Sequence, residues 1–286
     1  MDLFYITKIV LLAHIVLQGA AATNGVLYEY GNATDKLSQK VNFGEVEITN
    51  LTVKFPLFGK NYSSFYLCLE GILDFNRGNC FASPVIPRDG SLPIIAPFWG
   101  DFSIALSGDI YYRQSNDPRL LANATQDINK YFPGLRFSAQ WVFIATWDKV
   151  TSILGIVTQV NTLQVVLITD GTLSFVLFNY ADIQWSHGAA AGLYNGNASE
   201  YYQLNNPRDS VFNLTSSSNI NYPGRWAFRV DKLQVEVPTI QQTTTTMSQV
   251  IYGNGTPTGN IQGTFATCKI YVYIFALYIV FPLNLI

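Results

Sequence analysis

Two histidines stand in the 286-residue chain, His14 and His187. A Ser–His–Asp relay would have to run through one of them, because imidazole takes the serine proton near neutral pH. His14 falls in an N-terminal apolar run, which leaves His187, in Gln-Trp-Ser-His-Gly-Ala-Ala-Ala-Gly at 184–192. No Gly-x-Ser-x-Gly nucleophile elbow accompanies it, so the expectation is a turn residue. Paired carboxylates could do glycoside chemistry. Asp101, Asp148 and Asp182 are the candidates, each next to or near a tryptophan. The same aspartates could bind calcium, which needs several converging oxygens, but no Asp-x-Asp-x-Asp-Gly loop is present. Asp101 and Asp148 are expected to end strands and accept backbone hydrogen bonds in turns. Trp99, Trp141, Trp147, Trp185 and Trp226 could line a sugar-binding face; their place in strand patterns points to core packing instead. Cys68 and Cys80 lie close in sequence, and in an oxidising compartment a disulfide is the natural reading, with two buried thiols as the alternative. Pairing would remove them as nucleophiles. Cys268 is left over. No metal-ligand cluster and no phosphate-cradling loop is seen, so no catalytic residue, metal or cofactor is expected.

The elements that would hold these residues read as β-structure. About half of the chain is hydrophobic and aromatics make up 14%. In Phe-Ser-Ala-Gln-Trp-Val-Phe-Ile-Ala-Thr-Trp-Asp-Lys-Val, Phe137, Ala139, Trp141, Phe143, Ala145 and Trp147 alternate onto one face. Val142, Ile144 and Thr146 share the other face, so this strand is expected to be covered on both sides. Residues 161–180 form two β-branched runs about Asp170-Gly171, which predicts a hairpin with a type I′ turn. Shorter strands are expected at 46–55, 66–75, 108–114, 191–194 and 225–230. One helix interrupts them. Asp117 is its expected N-cap and Pro118 its first residue, with Leu120, Leu121, Ala124, Ile128, Tyr131 and Phe132 on one face. Asn123 points away. The fold class is mainly β, a β-sandwich with one short amphipathic helix.

The termini bear on location. Residues 1–22 place Lys8 before the apolar run Ile9–Leu17 and small residues at Gly19–Ala22, the pattern of a secretory signal peptide cut after Ala21 or Ala22. Asn-x-Ser/Thr sequons begin at Asn32, Asn50, Asn61, Asn123, Asn197, Asn213 and Asn254, a density that suits passage through the secretory pathway. Residues 234–254 form a Thr-rich stalk with few large apolar residues. Small residues at 253–256, a polar spacer and the apolar end Lys269–Ile286 together make a glycosylphosphatidylinositol signal. Asn254 is the attachment candidate, and Gly253 and Gly259 are alternatives. A C-terminal membrane span is the rival reading of the tail, and a soluble form a third. Only 13% of residues are charged, the formal net charge is −2 and no basic run occurs, so nucleic acid is not an expected partner.

Four stretches carry a family resemblance: Leu-Pro-Ile-Ile-Ala-Pro-Phe-Trp-Gly-Asp-Phe (92–102), Gly-Asp-Ile-Tyr-Tyr-Arg-Gln (108–114), the strands at 137–180, and Asn-Tyr-Pro-Gly-Arg-Trp-Ala-Phe-Arg-Val-Asp (221–231). Together they resemble the NIDO domain, the extracellular domain first described in nidogen. The resemblance covers 92–231; the domain is expected over 92–233, with 23–91 as an N-terminal strand layer of the same folded unit. It extends more weakly through Phe65–Phe75, where the family has a strand and an Asn-Gly-type turn. The Cys68–Cys80 pair has no place in the family pattern and looks local to this chain. The resemblance implies a non-catalytic extracellular protein of cell–matrix adhesion, with a matrix protein or glycan as partner. The alternatives are a secreted structural matrix component and a carbohydrate-binding or carbohydrate-active protein.

Overall fold

The computed structural model describes residues 25–41, 43–76, 80, 93–154, 157–196, 201–204 and 208–239. The expected signal peptide (1–22), Asn197, Gly253, Asn254, Gly259, Cys268, most of the expected stalk and the apolar tail lie outside them. In chain order the elements are β1 (Lys36–Leu37), β2 (Glu45–Ile48), β3 (Phe55–Leu57), β4 (Lys60–Tyr62), β5 (Phe65–Cys68), β6 (Ile72–Asp74), β7 (Ile94–Trp99), β8 (Phe102–Ser103) and β9 (Asp109–Ser115). Then follow α1 (Pro118–Tyr131), β10 (Trp141–Ser152), β11 (Asn161–Thr169), β12 (Ser174–Ile183), β13 (Ala190–Tyr194), β14 (Tyr201–Gln203), a 3-10 helix (Arg208–Thr215) and β15 (Arg225–Arg229).

The long strands form a sheet in the order β1-β9-β10-β11-β12-β15, with β8 also on β10. A second sheet runs β14-β13-β7-β6-β5-β2, and β3 pairs with β4 alone. Alternation along the long strands explains the layering. Trp141, Phe143, Ala145 and Trp147 of β10, Leu163, Val165 and Leu167 of β11, and Val176 and Phe178 of β12 enter the core between the sheets. Val142, Ile144, Val166, Ile168, Phe175 and Leu177 face the other way, onto Ala124, Ile128 and Tyr131 of α1. Both faces are therefore buried, as the two-sided apolar pattern requires. In α1, the Asp117 side chain accepts from the Arg119 and Leu120 N–H groups at 3.0 and 3.1 Å, so the N-cap is as expected.

Several strand expectations need correction. The strand read from Phe137 begins only at Trp141, and Phe137 and Ala139 join the helix-side core. Helix side chains capture that backbone first. Asn129 exchanges two hydrogen bonds with Phe137, at 2.7 and 2.9 Å, and Thr125 Oγ1 accepts from the Ala139 N–H at 2.9 Å. The β11–β12 hairpin pairs Thr169 with Ser174, so its loop has four residues and not the two of a type I′ turn. Gly171 there takes a positive φ of 91°, while Asp170 caps the loop by accepting from the Thr172 and Leu173 N–H groups at 2.8 and 2.7 Å. The strand expected over 46–55 divides into β2 and β3, separated by Asn50 in a left-handed conformation at φ 55°, and the one expected over 66–75 divides into the hairpin strands β5 and β6 about Gly71 at φ 87°. At the other end of the domain, β15 is followed by a reciprocal backbone pair between Arg229 and Glu236, which ties the chain down as far as Glu236.

Cys68 and Cys80 are bonded, with Cα atoms 5.1 Å apart, and both are fully buried. The link ties the end of β5 to the chain beyond β6. Its 12-residue separation corresponds to about 3 kcal/mol of chain-entropy stabilisation. Replacing both cysteines by serine should lower the stability from denaturant titration by about that amount. A loss under about 1 kcal/mol would mean that the link does not constrain the unfolded chain.

Candidate functional surfaces

Strand ends and side-chain contacts decide what the candidate catalytic groups can do. His187 sits in the connection from β12 to β13 and is exposed. Its Nδ1 lies 2.6 Å from Ser152 Oγ at the end of β10, a pairing that joins residues 35 positions apart and carries no local sequence signal. Ser152 is fully buried and its Oγ also accepts from the Leu154 N–H at 3.3 Å. A nucleophile needs an open path to its substrate, and this hydroxyl has none; the pair fixes the loop. Asp148 does not end a strand as expected. It sits at a bulge inside β10, where the register with β11 shifts between Trp147 and Val150, and it accepts from the Tyr30 hydroxyl at 3.1 Å. Asp182 accepts from the Gln184 amide at 2.5 Å, and Asp101 is exposed in the turn between β7 and β8. Among the described residues no three carboxylate, imidazole or thiol groups are placed to hold a metal ion. Trp99, Trp141, Trp147 and Trp185 are each no more than 2% exposed, and Trp226 packs partly buried on the inter-sheet core. They are core residues, not a sugar platform.

On the helix side, the N-terminal segment crosses the long sheet and is held by polar contacts. Gln164 of β11 accepts from the Tyr28 N–H at 2.8 Å and donates to the Tyr28 carbonyl at 3.0 Å. Arg225 of β15 reaches Asn179, Asp127 and Tyr131 from beneath. A groove of about 720 Å³ remains between this segment, β9 and α1, lined by Glu29, Arg113, Asp117, Arg119 and Asn123 among others. A second, of about 560 Å³, lies where β2 and β9 approach, with Asn32 and Asn50 in its lining. Both are polar, and both carry a sequon asparagine. The five described sequon asparagines, Asn32, Asn50, Asn61, Asn123 and Asn213, are all exposed.

One end of the sandwich differs. Antiparallel pairing brings there the β5–β6 tip, the β7–β8 turn, and the connections after β8, β10 and β12. They are cross-linked: the Gly100 N–H donates to the Glu70 carbonyl at 3.0 Å, Trp147 Nε1 to the Leu69 carbonyl at 3.1 Å, and the Ile153 N–H to the Asp101 carbonyl at 2.9 Å. Leu106 is 57%, Leu154 83% and Val157 54% exposed on these loops, and no sequon falls in them. Beneath them Glu70, at the β5–β6 tip, is only 4% exposed, and neither carboxylate oxygen has a hydrogen-bond partner. Burial pushes its pKa up to about 7; the nearby Asp101 and Glu45 carboxylates add to the shift, and the backbone N–H groups of Glu70 and Gly44, close to the carboxylate but short of good hydrogen-bond geometry, offset only part of it.

This two-sheet fold, with one helix and an N-terminal strap over the long sheet, has a known family. The chain belongs to the nidogen-like domain (NIDO) family, whose model matches residues 63–232, from β5 through β15. It is similar in sequence to alpha-tectorin. Mouse alpha-tectorin is 37% identical over 221 residues, 71% of this chain and 10% of that protein. Dendrite extension defective protein 1 of Caenorhabditis elegans is 26% identical over 73% of the chain and 19% of its own length. Mouse nidogen-2 is 28% identical over 71% of the chain and 17% of its own length. The chain thus spans between a tenth and a fifth of the length of these relatives. No solved structure matches it.

Proposed function

We propose that the protein is a non-catalytic adhesion module of the cell surface, tethering an extracellular matrix protein through the loop end of its sandwich. The reading rests on membership of the nidogen-like family across 63–232, in a fold whose five described sequon asparagines stand exposed elsewhere. N-glycans on Asn32, Asn50 and Asn123 would occupy the two polar grooves. The loop end, with Leu106, Leu154 and Val157 outward, stays open to a protein partner. The chain enters the secretory pathway on the signal of residues 1–22, and a glycosylphosphatidylinositol anchor at Asn254 replaces the apolar tail. One such contact is weak, and many anchored copies raise avidity. A secreted structural matrix component is the second reading, in which the same domain acts without the lipid.

Intact cells treated with phosphatidylinositol-specific phospholipase C should release the protein, and the released protein should bind immobilised matrix proteins. Leu154→Asp should weaken that binding at least tenfold without changing the melting temperature. Retention on the cell would sink the anchor alone. Released protein that binds no matrix protein would sink the adhesion reading alone.

A further inference from the structure

A latch lies beneath the loop end. Glu70 and Gly71 form the tip between β5 and β6, and the backbone of the tip is bonded to three other elements. The Leu69 N–H donates to the Gly44 carbonyl at 2.9 Å, just before β2. The Gly100 N–H donates to the Glu70 carbonyl at 3.0 Å, and Trp147 Nε1 of β10 to the Leu69 carbonyl at 3.1 Å. The Glu70 side chain sits inside this junction with neither oxygen in a well-formed hydrogen bond; the Glu70 and Gly44 N–H groups lie near it and favour the carboxylate only in part. Among the described residues the charged groups facing it are Glu45 of β2 and Asp101 of the β7–β8 turn. Both are acidic. Lys40, on the segment leading to β2, is engaged by Asp109 at 2.6 Å and by the Gly108 carbonyl. An ionised carboxylate without a cation or hydrogen-bond donor is costly to keep out of water, whereas the neutral acid is tolerated.

We propose that Glu70 is a proton-dependent latch on the loop end: as the neutral acid it stays buried and keeps the tip closed against the β7–β8 turn, β10 and the segment before β2, and as the carboxylate it is driven to solvent and loosens the tip from all three. The inference does not depend on what the loop end binds. The sign follows from the two states of the tip. Opened, Glu70 loses its proton near its ordinary value of 4.5; closed, it holds the proton up to about 7. The opening equilibrium therefore rises through that window and levels off above it. Acid closes the tip. Between about pH 5 and about pH 7.4 the opening constant should grow on the order of 50-fold.

Amide hydrogen exchange reads this directly at Leu69, Gly71 and Gly100, whose N–H groups are all bonded in the closed form. After correction for intrinsic base catalysis, protection should fall by roughly that factor across the window in the natural protein. It should stay flat in Glu70→Gln, which keeps the shape and removes the charge. The Glu70 carboxyl carbon, followed by NMR in the unmutated protein, should titrate near neutrality. Equal pH dependence in the two proteins, or a carboxyl carbon titrating at the ordinary glutamate value, would overturn the latch.

Discussion

Arg225→Met should cost about 3–5 kcal/mol of folding stability, the range for breaking a buried charged network by removing one partner. Arg225 is 6% exposed and most of its guanidinium is used. Nε donates to Asn179 Oδ1 at 2.8 Å, Nη1 to Asp127 Oδ2 at 2.9 Å and to the Tyr131 hydroxyl at 3.1 Å, and Nη2 to the Val26 carbonyl. The rings of Tyr28 and Tyr222 lie 5.3 and 5.1 Å from its central carbon. Methionine fills part of the volume but supplies none of the donors. Asp127 keeps only the Tyr28 and Tyr131 hydroxyls, at 2.7 and 3.4 Å, and the Val26 carbonyl loses this donor. Arg225→Lys should recover little, because one ammonium cannot span a fork that reaches a helix, a strand and the N-terminal strap together. Lys232 and Glu236 give the contrast: they are paired at 2.5 Å, but their side chains are 52% and 40% exposed, and Lys232→Ala should cost less than about 0.5 kcal/mol. Urea titration of the three variants ranks them. An Arg225→Met loss no larger than that of Lys232→Ala would show that the network does not hold the strap to the sheet.

The difference between these two pairs also marks how much could be read from sequence. The i,i+4 spacing of Lys232 and Glu236 is visible in the chain, but the energetically larger Asp127–Arg225 pair joins positions 98 apart. What was legible was local and periodic. β10, β11 and β12 carry alternation on both faces, and α1 carries its own cap and stripe, so their types and burial followed. β7 was not recognisable as a strand, though its residues were part of the family motif. All six of its positions are buried, which erases the alternation, and Pro97 stands where a ladder donor is needed. The structure accommodates the proline at a register shift against β13, between the Trp99–Ala190 and Ala96–Gly192 pairs. The Phe137–Ala139 stretch had the right period and lost its strand to side chains of α1, a competition that no window of sequence contains. Glu70 carries no sequence signal of its burial for a similar reason. Between Leu69 and Gly71 it reads as a solvated turn residue, and only the arrival of β2, the β7–β8 turn and Trp147 above it makes it a buried acid.

Gly71→Ala should be the most damaging single-methyl change in the domain, above about 4 kcal/mol and into the range where the native fold fails to accumulate. Two costs combine. Gly71 has φ +87°, where an L side chain is strained by about 1–2 kcal/mol. A Cβ built there would also stand 2.0 Å from the Phe98 carbonyl oxygen and 2.5 Å from Phe102 Cε2. The first of these is backbone, and no rotamer change can move it aside. The tip would have to back away from β7, which breaks the bond from the Gly100 N–H to the Glu70 carbonyl and strains the one from Trp147 to the Leu69 carbonyl. Gly59 separates the two costs. It has φ +76° and nothing within 4 Å of a built Cβ, so Gly59→Ala should show the conformational strain alone, about 1–2 kcal/mol. Equal denaturation midpoints for the two variants would mean that the β5–β6 tip has room to move off β7. The wide gap expected here requires that the tip and the Phe98 carbonyl are locked together, as they are in the closed form that holds the neutral Glu70 out of water.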